Sequence, residues 1–366
     1  MNNNINQFQP ENLENFGWSP FFHEHFQKLN IPDTVPARVV SESKNSFQVY
    51  SEYGVLAAGI AGKMRHNNEA ENTYPAVGDW VAIKPLVGEK KAIIYAVLPR
   101  KSKFSRKTAG ERTAEQIVSA NVDTVFIVSG LDGGRNLKLR RIERYLTLGW
   151  NSGAIPVLVL NKVDLCLDAE KLVQSVEDIA PGTAIHAVSA KEGTGMDALK
   201  TYFSRGITVA FLGSSGSGKS TLINFMLGEE KQETGEVRAD NRMGRHTTTM
   251  RELIQLPSGG IMIDTPGMRE IQLWGEEDGL QGAFEDIEKL AGKCRFSDCT
   301  HNAEPGCTVR TAIEQGELDL ARLESYRKLQ KELNYLSARE EQSTRLYEKQ
   351  KWKKVAKWVK EIQNRP

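Results

Sequence analysis

The spacing of apolar positions changes character along the chain. From 35 to 104 they fall in short runs, ARVVSES, SFQVYSEYG, GVLAAGIAG, DWVAIKPL and AIIYAVLP, with Gly54, Gly62, Gly78 and Gly88 between them. Short runs at roughly ten-residue intervals predict five or so strands closing into a small barrel of the oligonucleotide-binding type, although an SH3-like barrel would leave a similar trace. From 121 to 275 the runs VDTVFIVSG, AIPVLVLN, AIHAVSA, GITVAFLG, MRELIQL and GGIMIDT include several that are apolar on both faces, as in a covered parallel sheet. The amphipathic stretches LKLRRIERYLTLGW, AEKLVQSVEDI and GMDALKTYF separate the first four. Strand–helix alternation of this kind predicts βαβ units. Residues 1–34 are rich in Asn, Gln and Phe and show no period, so they are expected to form a flexible arm in which Trp18, Phe21 and Phe22 pack locally. The last 90 residues hold a Cys/His cluster and then a charged, helical tail.

Composition narrows the class. The 366 residues are 39% hydrophobic and 26% charged, which suits a folded multidomain protein and not a disordered or fibrous one. Lys+Arg is 48 against Asp+Glu 47, so any nucleic-acid surface has to be a local patch. Two patches qualify. PRKSKFSRKTAGER at 99–112 carries six basic residues and one acid, and reads as a solvated linker or as a phosphate-contacting strip. From Arg322 to Arg365 the chain has 13 Lys/Arg and 6 Asp/Glu, with Trp352 and Trp358 among the lysines. No apolar run of about 18 residues predicts a membrane span, and the N-terminus lacks the pattern of a signal peptide. Four cysteines rule out a disulfide scaffold and suit a reducing cytoplasm.

Residues 213–220, GSSGSGKS, match the phosphate loop G-x-x-x-x-G-K-[ST] between a buried strand and an amphipathic helix. Gly213, Ser214, Ser215, Gly216, Ser217 and Gly218 can wrap an anion with backbone N–H groups, and the helix N-terminus adds its dipole. Lys219 is expected to reach the β- and γ-phosphates, Ser220 to ligate magnesium, and Thr221 to contact the α-phosphate. DTPG at 264–267 places Asp264 at a strand end, where it holds magnesium through water, and the Gly267 N–H near the γ-phosphate. Between them RADNRMGRHTTT reads as a loop that orders around the γ-phosphate, with Thr248 favoured over Thr247 and Thr249 as the second magnesium ligand.

NKVD at 161–164 (Asn161, Lys162, Val163, Asp164) and SAK at 189–191 (Ser189, Ala190, Lys191) each end a strand. Asp164 can accept from guanine N1–H and N2–H₂, a donor pair that adenine lacks. Asn161 ties neighbouring loops, the Lys162 stem covers the ring face, and the Ala190 N–H meets guanine O6. Together these motifs argue for GTP over ATP. Their order is unusual, because the base readers precede the phosphate loop. A circular permutation explains this without altering the site, and the cut falls just after DTPG.

Cys294, Cys299, His301 and Cys307 form C-x₄-C-x-H-x₅-C, a set suited to tetrahedral zinc with no open position; free cysteines in a loop are the alternative. Cys166 stands apart and reads as a small apolar residue.

EQIVSANVD (115–123), NKVD, SAK, GSSGSGKST, GRHTTT, DTPG and the Cys/His cluster together make the chain closely resemble the circularly permuted, ribosome-small-subunit-dependent GTPases of bacteria, the RsgA/YjeQ family. The resemblance covers 35 to 340. It implies an N-terminal all-β oligonucleotide-binding-like barrel (35–104), a central α/β permuted GTPase domain (113–275) and a zinc-binding domain (276–340); the composition of 341–366, outside the resemblance, predicts a basic helical tail. A cytoplasmic monomer is expected, and the resemblance further implies that it binds the small ribosomal subunit and its rRNA. There it would hydrolyse GTP to GDP late in maturation, stimulated by the subunit. An RNA-binding assembly module with a mainly structural nucleotide is the alternative.

After the DxxG turn many GTPases place a water-orienting Gln, where this chain has Met268. Slow intrinsic hydrolysis is therefore expected. His246 is the candidate to orient the water once the subunit orders its loop, with Lys219 and Thr248 completing the catalytic set and Arg242 or Arg245 as alternative charge stabilisers.

Overall fold

The computed structural model describes residues 13–43, 46–62, 64, 74–86, 88–107, 115–132, 137–228, 251–264 and 278–339. Five strands build the N-terminal barrel: β1 (Val35–Ser43), β2 (Ser46–Ser51), β3 (Gly54–Ile60), β4 (Trp80–Pro85) and β5 (Lys91–Val97). They pair in the order β1-β2-β3-β5-β4, and β4 returns to β1, which closes the ring. The β3–β5 pairing is parallel and the rest are antiparallel. Inward residues such as Val39, Val49, Leu56, Val81, Ile83 and Ile94 fill the interior.

The central sheet runs β10 (Ala184–Val188), β9 (Ile155–Asn161), β8 (Thr124–Gly130), β11 (Thr208–Gly213), β13 (Ile261–Asp264), β12 (Arg251–Gln255). Counted from β11 as the first strand, that order is 6-5-4-1-3-2, so β8, β9 and β10 complete a sheet that β11 to β13 begin. Chain order is permuted while the spatial layers stay intact. Helices Leu139–Asn151, Ala169–Glu177, Met196–Lys200 and Lys219–Leu227 follow β8, β9, β10 and β11. β12 departs from the expected parallel sheet: it runs antiparallel to β13, and its far edge pairs with β1 of the barrel (Ser41↔Glu252, Glu42↔Arg251). Barrel and central domain thus share one continuous 11-stranded sheet.

Residues 13–34 do not form the flexible arm expected from composition. Leu13–Phe16 is a 3-10 turn and Pro20–Leu29 a helix, and Phe16 and Phe22 are buried. Trp18 lies edge-on to Trp80 of β4 at 4.7 Å between centroids, and Phe16 stacks on Tyr50 at 3.9 Å. Partner rings on distant strands supply the order, and no local period encodes that. Arg38, buried on β1, donates to the carbonyls of Phe16, Gly78 (3.2 Å) and Asn121 (3.1 Å) and to Thr208 Oγ1 (3.0 Å). One guanidinium thereby joins the N-terminal turn, the barrel and the central sheet. Burial pulls its pKa down to about 10, against Asp123 and Asp79, which raise it.

The basic strip is also tertiary structure in part. Arg100 makes two bonds of 2.7 Å to the buried Asp79 carboxylate. β6 (Lys103–Lys107) pairs with β7 (Glu115–Ala120), where Lys103 meets Glu115 at 2.9 Å. Arg100 and Lys103 are thus partnered by carboxylates within the fold.

The C-terminal module comprises helices Asp278–Ala283, Glu285–Ala291 and Thr308–Glu314 and a helix over 320–339. It packs on helix Leu139–Asn151 through Asp278–Ala283, where Gly279 N donates to Asn151 Oδ1 at 2.7 Å, and its Leu280, Phe284, Ile287, Leu323 and Tyr326 share one buried core with Ile142 and Leu146. The expected basic tail at 341–366 lies outside the described residues.

Candidate functional site

β11 ends at Gly213, and the loop to helix Lys219–Leu227 turns on Gly213, Gly216 and Gly218. Gly218 has φ +93°, and a Cβ there would stand 2.2 Å from Asn161 Nδ2. Glycine is what lets the loop pass so close to the end of β9. The helix opens its first N–H groups onto this loop, which is the arrangement that binds anions. Lys219 Nζ donates to the Gly213 and Ser214 carbonyls at 2.8 and 2.7 Å, so the ammonium lies within the curl of the loop. Ser217 is buried, with its hydroxyl on the Ser214 carbonyl at 3.0 Å. Ser215 is exposed, while Ser220 and Thr221 are half-buried in the first helical turn.

Parallel pairing of β10 with β9 sets Val188 opposite Asn161, which brings SAK beside NKVD. Asn161, buried, is the junction. Its Nδ2 donates to the Ser217 carbonyl (3.2 Å), and its Oδ1 accepts from Lys162 N (2.8 Å) and Ala190 N (3.0 Å). One side chain joins the phosphate loop and both base-reader loops. The Ala190 N–H, expected at a base oxygen, is donated to Asn161 here. Ser189 is fully buried and its Oγ accepts from Glu192 N at 3.2 Å; Lys191 is exposed. Val163–Leu165 forms a 3-10 turn that carries Asp164. Among the described residues Asp164 Oδ1 is buried with no hydrogen-bond partner. A buried carboxylate oxygen without a donor is costly, and an edge carrying a ring N–H beside an exocyclic amino group would satisfy it.

Asp264 ends β13, whose pairing with β11 (Ala210↔Ile263) brings the backbone of Asp264, the first residue of DTPG, alongside the strand that enters the phosphate loop. His246, Thr247, Thr248, Thr249, Arg242, Arg245, Gly267 and Met268 lie outside the described residues. Asp132, one residue beyond the bond from Leu131 N to the Asn161 carbonyl, is a site neighbour that no motif revealed: it holds Lys162 Nζ at 2.8 Å.

A second site is formed by Cys294, Cys299, His301 and Cys307, whose ligand atoms all lie within 4.8 Å of one another. His301 Nδ1 is 3.6 Å from Cys294 Sγ and 3.5 Å from Cys307 Sγ, and the two sulfurs are 4.0 Å apart. A zinc tetrahedron with Zn–S of about 2.3 Å and Zn–N of about 2.0–2.1 Å has S···S edges of about 3.8 Å and S···N edges of about 3.5 Å. The donor set fits such an ion. Burial, reinforced by Arg327, lowers the His301 pKa and favours the neutral imidazole a metal needs. Burial and two neighbouring thiols push Cys299 up to about 11, although His301 N–H pulls the other way. Cys307 also caps helix Thr308–Glu314, accepting from Arg310 N at 3.5 Å.

Comparison with known proteins agrees with this geometry. The family model of the RsgA GTPase matches residues 97–274. A small ribosomal subunit biogenesis GTPase RsgA of Opitutus terrae is 44% identical over 356 residues, covering 94% of this chain and 95% of the relative. That of Syntrophotalea carbinolica is 42% identical over 353 residues, covering 94% and 96%. The crystal structure of YjeQ from Thermotoga maritima superposes with a TM-score of 0.62 at 30% identity, covering 81% of this chain and 97% of that one. The crystal structure of YloQ, a circularly permuted GTPase, shares the fold at 20% identity, with a TM-score of 0.58 and 86% and 97% coverage. With a barrel, a permuted nucleotide-binding sheet and a cysteine-rich module in this order, and with identity of this depth over nearly its whole length, the chain belongs to the RsgA GTPase family.

Proposed function

We propose that this protein hydrolyses GTP to GDP and phosphate in late maturation of the small ribosomal subunit, and that the subunit accelerates the reaction. The observation that most supports the nucleotide reading is the junction at Asn161, which fixes three loops at once beside an Asp164 oxygen that has no partner among the described residues. Asp164 accepts from the guanine edge, and the Lys162 stem lies on the ring face. The N–H groups of 213–218 cradle the phosphates, Lys219 neutralises the β- and γ-phosphates, and Thr221 contacts the α-phosphate. Ser220 and Thr248 are the side chains that would hold magnesium, with Asp264 acting through water. When bound, the ion spreads the charge of the transferring phosphoryl group. Zinc, held by Cys294, Cys299, His301 and Cys307, is structural.

Asp164→Asn is expected to weaken GTP binding about a hundredfold and to turn preference toward xanthine nucleotides, since the amide presents a donor where guanine also presents one. Competition binding with GTP, ATP and XTP reads this directly. Unaltered base preference would remove Asp164 from the base-reading role.

His246 orients the attacking water once the subunit orders its loop, because Met268 offers only a weakly accepting thioether and no donor. His246→Ala is expected to lose subunit-stimulated turnover by about a hundredfold while GTP affinity stays the same. The decisive measurement is phosphate release with and without purified small subunits. A wild-type rate that ignores the subunit ends the stimulated-GTPase reading. An unchanged stimulated rate in His246→Ala transfers the water-orienting role elsewhere. The barrel at 35–104 and the tail at 341–366 serve as rRNA contacts, acting as a monomer in the cytoplasm.

A further inference from the structure

We infer that Asp132 is a positioning residue for the nucleotide base: it fixes the Lys162 ammonium so that the lysine stem forms a rigid wall of the base pocket. This rests on the proposed reading of NKVD as the guanine reader.

The two residues are neighbours across the end of a parallel ladder. Gly130 pairs with Asn161, and the next N–H, from Leu131, donates to the Asn161 carbonyl at 2.8 Å. Asp132 and Lys162 therefore each emerge one residue beyond a fixed backbone bond. Lys162 has φ +69°, a conformation that costs a non-glycine residue energy. Its N–H is held by Asn161 Oδ1 at 2.8 Å, and its Nζ lies 2.8 Å from Asp132 Oδ2. Lys162 Cε comes within 3.8 Å of where a Cβ on Gly218 would lie, so the stem runs beside the phosphate loop. The lysine is thus pinned at both ends, backbone and ammonium.

Both side chains are mostly buried, 24% exposed for Lys162 and 18% for Asp132. A lysine without this anchor has four rotatable bonds to order when a base arrives, and its ammonium would turn toward water or phosphate. The carboxylate removes that freedom beforehand and leaves the methylenes as an apolar face. Phosphates contribute nothing to this effect, so GTP and GDP gain equally from it.

The test compares Asp132→Ala, Asp132→Asn and Asp132→Glu with the full-length protein. In Asp132→Ala the KM for GTP and the Kd for GDP are expected to rise together by about tenfold, with kcat at saturating GTP changed less than about twofold. Asp132→Asn keeps the shape but loses the charge and should behave like alanine; Asp132→Glu should restore most of the affinity. A merely structural residue would lower the thermal midpoint and kcat, and glutamate would not rescue it. Wild-type nucleotide affinity in both the alanine and asparagine variants overturns the inference, as does a kcat loss with KM unchanged. Asp164→Asn is run in parallel. If it switches base preference and the Asp132 variants bind as wild type, only this inference falls. If it does not switch, the guanine-reader assignment falls and this inference with it.

Discussion

Stripping the metal, or replacing Cys307 by serine, is expected to unfold the segment 292–307 while nucleotide binding persists. Between helices Glu285–Ala291 and Thr308–Glu314 the chain makes turns and bends with few backbone bonds, among them Arg295 N to the Gly306 carbonyl and Cys299 N to the Phe296 carbonyl. Its side chains add little apolar burial, and Phe296 is 41% exposed. Beside the Arg295–Gly306 bond and that of Thr308 Oγ1 to the Lys293 carbonyl (3.0 Å), what joins its ends is the four-ligand cluster. Structural zinc in small modules contributes apparent folding free energy on the order of 10 kcal/mol, more than this loop could draw from its own contacts. Cys307 carries a double role, because its sulfur also caps the following helix at Arg310 N. The flanking helices are held otherwise, since Ile287 of one and Val309 and Ala312 of the other belong to the buried core that also contains Ile142 and Leu146 of the central domain, so the loss should be local. The measurement is metal content by atomic absorption, combined with limited proteolysis. Wild type should carry one zinc per chain and resist cleavage between 292 and 307. Cys307→Ser should lose the metal and be cut there, with GTP affinity intact. A metal-free Cys307→Ser protein as resistant to cleavage as wild type would show that the cluster does not hold the loop.

The motifs were legible because each is a short, contiguous backbone device. A phosphate loop needs glycines at fixed offsets within eight residues, and a zinc set needs four donors within fourteen. The runs of apolar residues likewise announce β8, β9 and β11, which are buried over almost their full length. What the sequence hid depends on partners far along the chain. Phe16 and Trp18 sit in an unpatterned, Asn-rich stretch, yet they are ordered by Tyr50 and Trp80. Arg100 reads as one charge of a basic strip until Asp79 is found beneath it. Asp132 lies within no motif, and only the β8–β9 ladder brings it to Lys162. The β1–β12 seam is hidden for the same reason, since Ser41 and Glu252 are joined by register alone.

That seam bears on how the domains cooperate. In the sequence β12 follows HTTT, and β13 ends at the Asp264 that begins DTPG. β12 is bonded on one side to β13 and on the other to the barrel. The barrel is therefore hydrogen-bonded to the strand pair that adjoins, in sequence, both segments proposed to meet the γ-phosphate. The permutation adds a second link, since the chain passes from DTPG directly into the zinc-binding module.

The module's attachment to the central domain gives the other large effect: Arg322→Ala is expected to lower stability by about 3–5 kcal/mol. Arg322 stands at the start of the helix over 320–339 and is 2% exposed. It forms a fork with Asp286, Nε to Oδ2 at 2.6 Å and Nη2 to Oδ1 at 2.7 Å. Nη1 donates to Glu143 Oε1 at 3.1 Å, Nη2 also donates to the Ala283 carbonyl at 3.1 Å, and the guanidinium lies 4.7 Å from the Phe284 ring centre. Glu143, on helix Leu139–Asn151 of the central domain, is fully buried, and its other oxygen has no partner among the described residues. Removing the arginine leaves Glu143 with Arg140 alone, whose side chain is 37% exposed, and leaves Asp286 to rehydrate. The cost arises from the stranded charge more than from the lost bonds. A double variant, Glu143→Leu with Arg322→Met, should therefore be more stable than Arg322→Ala despite removing more hydrogen bonds. The Arg144–Glu332 pair, bonded at 2.6 and 2.7 Å but about a third exposed on each side, should contribute well under 1 kcal/mol by comparison. Urea denaturation of the four proteins, wild type, Arg322→Ala, the double variant and Arg144→Ala, measures this order. If the double variant is no more stable than Arg322→Ala, the buried charge is not what the arginine answers, and the fork to Asp286 with its packing on Phe284 carries the docking instead.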